Sequence, residues 1–145
     1  MTDPAGLAIT IATERDVPHI LAFIKALAEY ERLADSVVAT EEGLRATLFG
    51  PRPYAECVIA RWNGEPAGFA LFFHNYSTFL GRPGVYLEDL FVNPELRGKG
   101  VGRSLLRYLA QVAVDRNCGR LEWSVLDWNE SAIGFYKSLG AIPLE

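Results

Sequence analysis

Hydrophobic residues recur along this chain at two spacings, and each spacing predicts a different kind of element. Residues 85–92 form a mostly apolar run with branched and aromatic side chains, which is typical of a strand. From Val101 onward, apolar side chains return every three or four residues, which predicts an amphipathic helix. Between the two stands Asn93-Pro94, a turn signal, because the residue before a proline is pushed out of the helical region. The chain is organised around this strand, turn, loop and helix over residues 85–114.

The same two spacings predict the rest of the chain. Asn63-Gly64, between two apolar runs, is a strong hairpin signal, and Thr40 and Asn129 are suited to cap helices. The other predicted strands cover residues 7–12, 54–62, 66–73 and 120–126, and the other predicted helices cover residues 17–33, 41–49 and 129–139. The remaining predictions are a loop or strand extension at residues 74–84 and, at residues 141–145, the start of a last strand that is cut short at the C-terminus.

The order of these elements indicates the fold class. Helices and strands alternate in the second half of the chain, whereas a hairpin occupies the first half. This order predicts an α/β fold with a central mixed sheet flanked by helices. At 145 residues the chain is long enough to bury one core, so we expect a single domain over residues 1–145.

Charge and composition narrow the possible partners. The net charge is -4, whereas nucleic-acid-binding domains are usually strongly basic, so we expect no nucleic-acid partner. No apolar run approaches membrane-spanning length, and residues 1–8 lack the basic and apolar regions of a secretory signal. Cys57 and Cys118 have no metal-ligand spacing and are expected to be buried free thiols, and His19 and His74 have no further ligands beside them. We therefore expect a cytoplasmic protein with no membrane partner and no metal.

The loop before the central helix has a spacing suited to an anion. Arg97, Gly100 and Gly102 give Arg-x-x-Gly-x-Gly, and the first backbone N–H groups of a helix have no intrahelical partner. Lys99 and Arg103 add positive charge. A nucleoside-triphosphate loop is excluded because Arg103 stands where its lysine belongs, and a GxGxxG fingerprint fails at the same position. A phosphate is the predicted ligand, and a glycine-rich turn used only for tight packing is the alternative.

The chain resembles the GNAT superfamily of N-acetyltransferases, whose diphosphate loop has this spacing. Within it, the second half of the chain is similar to the diamine and polyamine (spermidine/spermine-type) branch. The residues that carry the resemblance are Tyr86-Leu87-Glu88-Asp89, Arg97 to Gly102, Asp127-Trp128-Asn129-Glu130 and Phe135-Tyr136-Lys137. The resemblance implies acetyl-CoA as the donor, a small-molecule primary amine as the acceptor, and a homodimer.

The resemblance also implies which residues form the site. The oxyanion of the tetrahedral intermediate would be held by backbone N–H groups near Leu90 and Val92, which are available only if two neighbouring strands part there. The expected cofactor-binding residues are Leu90, Val92, Arg97, Gly98, Lys99, Gly100, Val101, Gly102, Asn129 and Tyr136. The expected substrate-binding residues are Tyr30, Glu31, Glu88 and Asp89.

Aminolysis of a thioester needs a neutral amine, so a group that removes a proton from the amine is required. A lysine-like amine has a pKa of about 10.4, so roughly one molecule in two thousand is neutral at pH 7, a cost of about 4–5 kcal/mol. Glu88 is the candidate base, acting through water, and Asp89 would attract the cationic substrate. Strict alternation places these neighbours on opposite faces, so we predict a β-bulge near Glu88 to Leu90. The alternative is that one of the two is a solvated or ion-paired carboxylate.

Tyr136 is the candidate acid that protonates the departing thiolate. Reference pKa values of about 10 for tyrosine and about 8.5 for a thiol make this transfer uphill by roughly 2 kcal/mol, so Tyr136 would assist departure without driving it. The alternative is a core aromatic, since Ile133, Tyr136 and Leu139 also form a helical stripe.

Three functions therefore remain open at this point. The first is acetyl transfer to a diamine, a polyamine or a lysine-like amino acid. The second is acetyl transfer to a lysine or N-terminus of a protein. The third is a non-catalytic module that binds CoA, which the presence of Glu88 and Tyr136 disfavours.

Overall fold

A five-stranded sheet forms the centre of the protein within residues 3–126 and 128–143, which are the residues that the computed structural model describes. The predictions that involve residues 1 and 2, Asp127 and the end of the last strand, residues 144 and 145, lie outside the described residues. The elements are β1 (Leu7–Ile11), α1 (Val17–Tyr30), α2 (Glu41–Leu48), β2 (Glu56–Trp62), β3 (Glu65–Ser77), β4 (Arg82–Val92), α3 (Val101–Asp115), β5 (Leu121–Trp123) and α4 (Glu130–Ser138).

The sheet is mixed, as predicted. Its strand order is β1-β2-β3-β4-β5, and every pair is antiparallel except β4 and β5, which are parallel. The predicted hairpin turn is confirmed, because Asn63 and Gly64 both have positive φ, 50° and 88°, as a type I′ turn requires. The region predicted as a loop or strand extension is mostly strand, since β3 runs to Ser77 and β4 begins at Arg82.

The helices cover the two faces of this sheet. On one face, α1 and α2 bury an aromatic cluster in which Phe23 stacks on Phe69 with ring centroids 5.4 Å apart. On the other face, the apolar stripe of α3, with Leu105 and Leu109 fully buried, packs against Val85 and its neighbours. Burying both faces of β4 holds this strand rigidly, which matters because the cavity described below forms along it.

The predicted β-bulge lies at Glu88. Leu71 pairs with Asp89 and Phe72 pairs with Leu87, so Glu88 is an extra residue with no partner on β3. Before the bulge, Leu87 packs on the α3 face, and three residues later Leu90 packs on that same face. The bulge therefore changes which β4 residues point to each side of the sheet.

Strand β5 is shorter than predicted. It pairs with β4 only as far as Leu87 and Trp123, whereas β4 continues to Val92. The bulge interrupts the regular spacing of β4 immediately after Leu87, so the ladder cannot continue in register. Residues 124–126, predicted to extend the strand, instead leave the sheet and diverge from β4.

Helix α1 is also shorter than the predicted range of 17–33. Arg32 takes a left-handed conformation with φ of 63°, and the Leu33 amide donates to the Ala28 carbonyl at 2.7 Å. The Arg32 amide donates to the Glu29 carbonyl at 3.1 Å, which completes a Schellman motif. The helix therefore ends at Tyr30 with its last carbonyls satisfied.

Candidate active site

A cavity of about 730 Å³ opens where β4 and β5 part, which lies within the size range of small-ligand sites. It collects elements that are distant in sequence: the end of α1, the second half of β4, the loop before α3, and α4. Of the predicted site residues, those that line it are Tyr30, Glu31, Glu88, Asp89, Leu90, Val92, Arg97, Gly98, Gly100, Val101, Gly102, Asn129 and Tyr136. Lys99 is not among the lining residues, and its Nζ lies 5.9 Å from the ring centroid of Trp62.

The parting of the strands supplies hydrogen-bond donors. The Asn93 amide donates to Ala67 of β3 at 2.8 Å, and amides along an antiparallel strand alternate in direction. The amides of Val92 and Leu90 therefore point away from β3, into the space that β5 has left. Before the bulge the pattern is the opposite one, since the Val85 amide donates to Arg120 beside β5 at 2.9 Å. The bulge at Glu88 thus sets the register in which Leu90 and Val92 can hold an oxyanion.

The loop before α3 exposes backbone N–H groups to the cavity. Gly98 and Gly100 have φ of 79° and 90°, a left-handed conformation that favours glycine. Helix α3 starts with no side-chain cap, and the Ser104 amide donates to the Gly100 carbonyl at 3.0 Å, so the amides before Ser104 have no intrahelical acceptor. A helix start at which the amides of Val101 and Gly102 have no intrahelical acceptor, preceded by two glycines, fits a diphosphate.

Arg97 lies along the cavity wall. Its Nε donates to the Val92 carbonyl at 3.0 Å, and its guanidinium carbon lies 4.9 Å from the Tyr30 ring centroid and 5.3 Å from that of Phe91. These contacts tie the loop to the ends of β4 and α1. The Arg97 side chain therefore supports the shape of the site, while the loop residues Gly98 and Gly100 line the cavity.

Asn129 connects α4 to the end of α1. Its Oδ1 accepts from the Ala132 amide at 3.2 Å, which confirms the predicted helix cap, and also from the Tyr30 hydroxyl at 3.2 Å. Asn129 is only 5% exposed, whereas Tyr30 is exposed, so this hydrogen bond is partly buried. This contact between residues far apart in the chain fixes where α4 begins.

Tyr136 projects from α4 into the same cavity. Its ring centroid lies 5.0 Å from that of Trp123 and 5.5 Å from that of Phe135, so the side chain is held by aromatic contacts on two sides. Burial raises the pKa of the Tyr136 hydroxyl, and the nearby Glu31 and Tyr30 raise it further. The hydroxyl is therefore a proton donor at neutral pH, and it lies beside the wall where a thioester would bind.

Three carboxylates give the cavity a negative potential. Burial, followed by repulsion from Glu88 and then from Glu31, raises the pKa of Asp89 to about 6. Burial also raises the pKa of Glu31. No basic residue is among the causes of either shift, so an ammonium group entering the cavity would be attracted to these carboxylates.

Replacing Asp89 with asparagine should stabilise the fold at neutral pH. The folded-state pKa of about 6 exceeds the ordinary value of 3.8, so the folded state binds the extra proton and stability falls as pH rises between these values. Asp89→Asn should raise the free energy of unfolding near pH 7 by about 1–2 kcal/mol, after allowance for partial solvent exposure, and the gain should vanish below about pH 4. Urea unfolding at the two pH values measures this. Asp35→Asn, at an exposed position outside the cavity, is the control. An equal gain in the free energy of unfolding in Asp35→Asn, or no gain in Asp89→Asn, would contradict the conclusion that burial raises the pKa of Asp89.

Sequence reasoning missed part of the lining. Ser124, Val125 and Leu126 were predicted to continue a strand, but they line the cavity where β5 leaves the sheet. Phe135 and Ala132 also line it, on the face of α4 turned towards β4. No local pattern signals these residues, because their position depends on where two strands separate.

The described residues were also searched for a metal site, a reactive thiol and a membrane-spanning helix. In residues 3–126 and 128–143, no group of three or more His, Cys, Asp or Glu side chains is placed to hold a metal ion. Cys57 is buried and Cys118 is half-buried; both are free thiols. Burial, with Asp16 and Asp89 nearby, raises the pKa of the Cys57 thiol to about 12, so it is not a thiolate nucleophile at neutral pH. Within the same ranges, every helix is too short or too polar to cross a bilayer.

Comparison with known proteins places this geometry in context. Residues 19–141 match the profile of the Acetyltransferase (GNAT) family. A thialysine N-epsilon-acetyltransferase from Bos taurus is 44% identical over 148 residues, covering 97% of this chain and 86% of that protein. Spermidine/spermine N(1)-acetyltransferase-like protein 1 from Homo sapiens is 34% identical over 136 residues, covering 89% of this chain and 19% of that protein. The solved structure of an integron cassette protein from the mobile metagenome of V. cholerae has a TM-score of 0.79 and 28% identity, covering 97% of this chain and 88% of that one.

Proposed function

Because this chain belongs to the acetyltransferase (GNAT) family and is an N-acetyltransferase that uses acetyl-CoA, we propose that its acceptor is the terminal primary amine of a small molecule. This class of acceptor includes lysine-like amino acids, diamines and polyamines. The relative from Bos taurus is named for thialysine and the one from Homo sapiens for spermidine and spermine, so both kinds of amine occur among similar proteins. One observation carries the proposal: the anion-binding loop and the carboxylates Glu88 and Asp89 line the same cavity.

In the proposed reaction, the acceptor nitrogen attacks the thioester carbonyl of acetyl-CoA directly. A carbon–nitrogen bond forms, and the carbonyl oxygen becomes an oxyanion held by the amides of Leu90 and Val92. The ammonium group loses one proton through water to Glu88 before the attack, and the nitrogen loses a second proton to solvent once the carbon–nitrogen bond has formed. The carbon–sulfur bond then breaks, and the thiolate of CoA takes a proton from Tyr136, which is reprotonated from solvent. No covalent intermediate with the enzyme is formed.

The charges and pKa shifts in the cavity suggest roles for Asp89 and Tyr136. Asp89 would hold the incoming ammonium group close to Glu88, since both line the cavity next to Glu31. The raised pKa of Tyr136 makes proton transfer to the thiolate more uphill than between the free groups, so Tyr136 assists departure of the thiolate and the amide bond supplies the driving force.

A panel of acceptors assayed by release of free CoA thiol tests the proposed function. Thialysine, L-ornithine, spermidine and spermine should include an acceptor turned over far faster than a lysine peptide or a peptide N-terminus, with the product identified by mass spectrometry. In the same assay, Tyr136→Phe should lower kcat roughly 10²-fold without changing the affinity for acetyl-CoA. Turnover only on peptides, or on no amine at all, would contradict the proposal, and an unchanged kcat would assign Tyr136 to packing.

We also propose that the protein is a cytoplasmic homodimer, as the family resemblance implies. The tip of the β3–β4 hairpin supports an interface, because Phe79 is fully exposed and Tyr76 and Leu80 are more than half exposed. Sedimentation equilibrium would measure the oligomeric state; a monomer at micromolar concentration would reject the dimer.

A further inference from the structure

Arg32 occupies an unfavourable backbone position at the rim of the cavity. It stands at the residue after the α1 cap with φ of 63°, where glycine is strongly favoured. A non-glycine residue in this conformation is uncommon and indicates either local strain or a functional constraint. We therefore looked for a functional role of the Arg32 side chain in its contacts and its position.

The Arg32 side chain lies over the Trp128 ring. Its guanidinium carbon lies 4.0 Å from the Trp128 ring centroid, within cation–π distance. Arg32 is exposed, and none of the ion pairs found within residues 3–126 and 128–143 involves it. An exposed guanidinium outside these ion pairs can bind a carboxylate through two parallel hydrogen bonds.

The Arg32–Trp128 pair adjoins two residues of the cavity lining. Glu31, directly before Arg32, and Asn129, directly after Trp128, both line the cavity. The Tyr30 hydroxyl donates to Asn129 Oδ1, which joins the same two segments. The pair therefore lies next to the cavity lining at Glu31, one of the expected substrate-binding residues.

Opposite charges at this rim distinguish between classes of acceptor. Inside the cavity, Glu88 and Asp89 attract the reactive ammonium group, whereas Arg32 would repel a second bare ammonium group. An amino acid with an amine on its side chain carries an α-ammonium and an α-carboxylate at its far end. The adjacent Glu31 and Arg32 match these two charges.

We propose that Arg32 binds the α-carboxylate of the acceptor, so that the substrates are amino acids with a terminal side-chain amine in preference to diamines and polyamines. This inference rests on the proposed function, since it concerns the acceptor end of the same cavity. Arg32 acts here as a specificity-determining residue and takes no part in proton transfer.

Matched acceptors that differ only in the carboxylate test this role. Thialysine is paired with bis(2-aminoethyl) sulfide, and L-ornithine with 1,4-diaminobutane. In Arg32→Gln, kcat/KM for the amino acids should fall roughly tenfold, the size expected for loss of a charge-assisted hydrogen bond. For the diamines it should rise roughly twofold, because a repulsive charge is removed. Arg32→Lys, which keeps the charge, should retain most of the preference.

A second variant separates specificity from folding. Arg32→Gly removes the side chain and suits the left-handed backbone, so its melting temperature should equal or exceed that of the wild type. It should nevertheless show the same loss of preference as Arg32→Gln. A purely structural role would lower the rates for both members of a pair together.

The outcomes separate this inference from the proposed function. If the amines are acetylated but the ratio between paired acceptors is the same in wild type and Arg32→Gln, the carboxylate role is overturned and the acetyltransferase function stands. A wild-type preference for the diamines would also overturn it. If no amine in either pair is acetylated and spermidine and spermine are not acetylated either, the proposed function fails as well.

Discussion

Replacing Gly100 with glutamate should abolish acetyl-CoA binding while the fold is retained. Gly100 caps α3 in a left-handed conformation, beside the free amides that face the cavity. A carboxylate there would stand where the diphosphate is expected, and one repulsive pair at about 4 Å costs about 4 kcal/mol near a protein surface, about a thousandfold in the dissociation constant. Isothermal titration with acetyl-CoA measures the loss, and circular dichroism follows the fold.

Gly81→Glu is the matched control for this variant. Gly81 has φ of 63° and nothing within 4 Å of an added Cβ, and it lies in the β3–β4 turn away from the cavity. The substitution therefore adds the same charge at another glycine with positive φ, away from the loop, although an added Cβ at Gly100 would also lie 3.3 Å from Pro4. Acetyl-CoA affinity should be normal in Gly81→Glu. Equal affinity in both variants would refute the assignment of the loop before α3 to the diphosphate.

Replacing Glu88 with glutamine should lower turnover by roughly 10²–10³-fold, within the range that general bases contribute. The loss should be greatest at low pH, where the acceptor amine is most fully protonated and its proton is hardest to remove. The measurement is the ratio of wild-type to mutant kcat across the pH range, with acetyl-CoA affinity recorded alongside. The affinity should be unchanged, because in the proposed reaction Glu88 acts on the acceptor and not on acetyl-CoA.

A nearby carboxylate provides the comparison for Glu88. Glu95 is exposed, lies just beyond the end of β4 and does not line the cavity. Glu95→Gln removes the same charge from the same region, so its kcat should match the wild type at every pH. A ratio for Glu88→Gln that is independent of pH would reject the base role, even if turnover falls.

Local patterns were sufficient to predict much of the fold. The strand, turn, loop and helix over residues 85–114 follow from the periodicity of neighbouring residues, and the Asn63-Gly64 hairpin follows from the backbone preferences of two residues. The family resemblance carried by the loop and by residues 86–89 is confirmed by the family match and by the similar acetyltransferases. The bulge at Glu88 was predicted from a chemical demand, that two adjacent carboxylates serve one site, and the register of β4 with β3 confirms it.

Most of the features that sequence could not predict depend on tertiary contacts, and one depends on the backbone conformation of a single residue. The early end of β5 depends on the interrupted register of β4, and the early end of α1 on Arg32 adopting positive φ. The hydrogen bond from Tyr30 to Asn129 joins residues far apart in the chain. The cavity itself exists only because these separate events occur at the same edge of the sheet.

The sequence also did not predict the side-chain directions of two basic residues in the loop before α3. The spacing placed Arg97 and Lys99 beside an anion, but it gave no information on where their side chains turn. Arg97 lies against Tyr30 and Phe91, and Lys99 lies near Trp62, outside the cavity lining. Of these two cations, only Arg97 therefore lies where the proposed diphosphate would bind.

A crystal structure of the protein with CoA and a lysine-like amine would show whether both ligands bind in the cavity along β4. We expect the diphosphate to lie against the backbone amides of residues 98–103, with the thiol between β4 and β5 close to Tyr136. We expect the amine beside Glu88 and Asp89. A diphosphate bound elsewhere, or a thiol outside the gap between the two strands, would contradict this expectation.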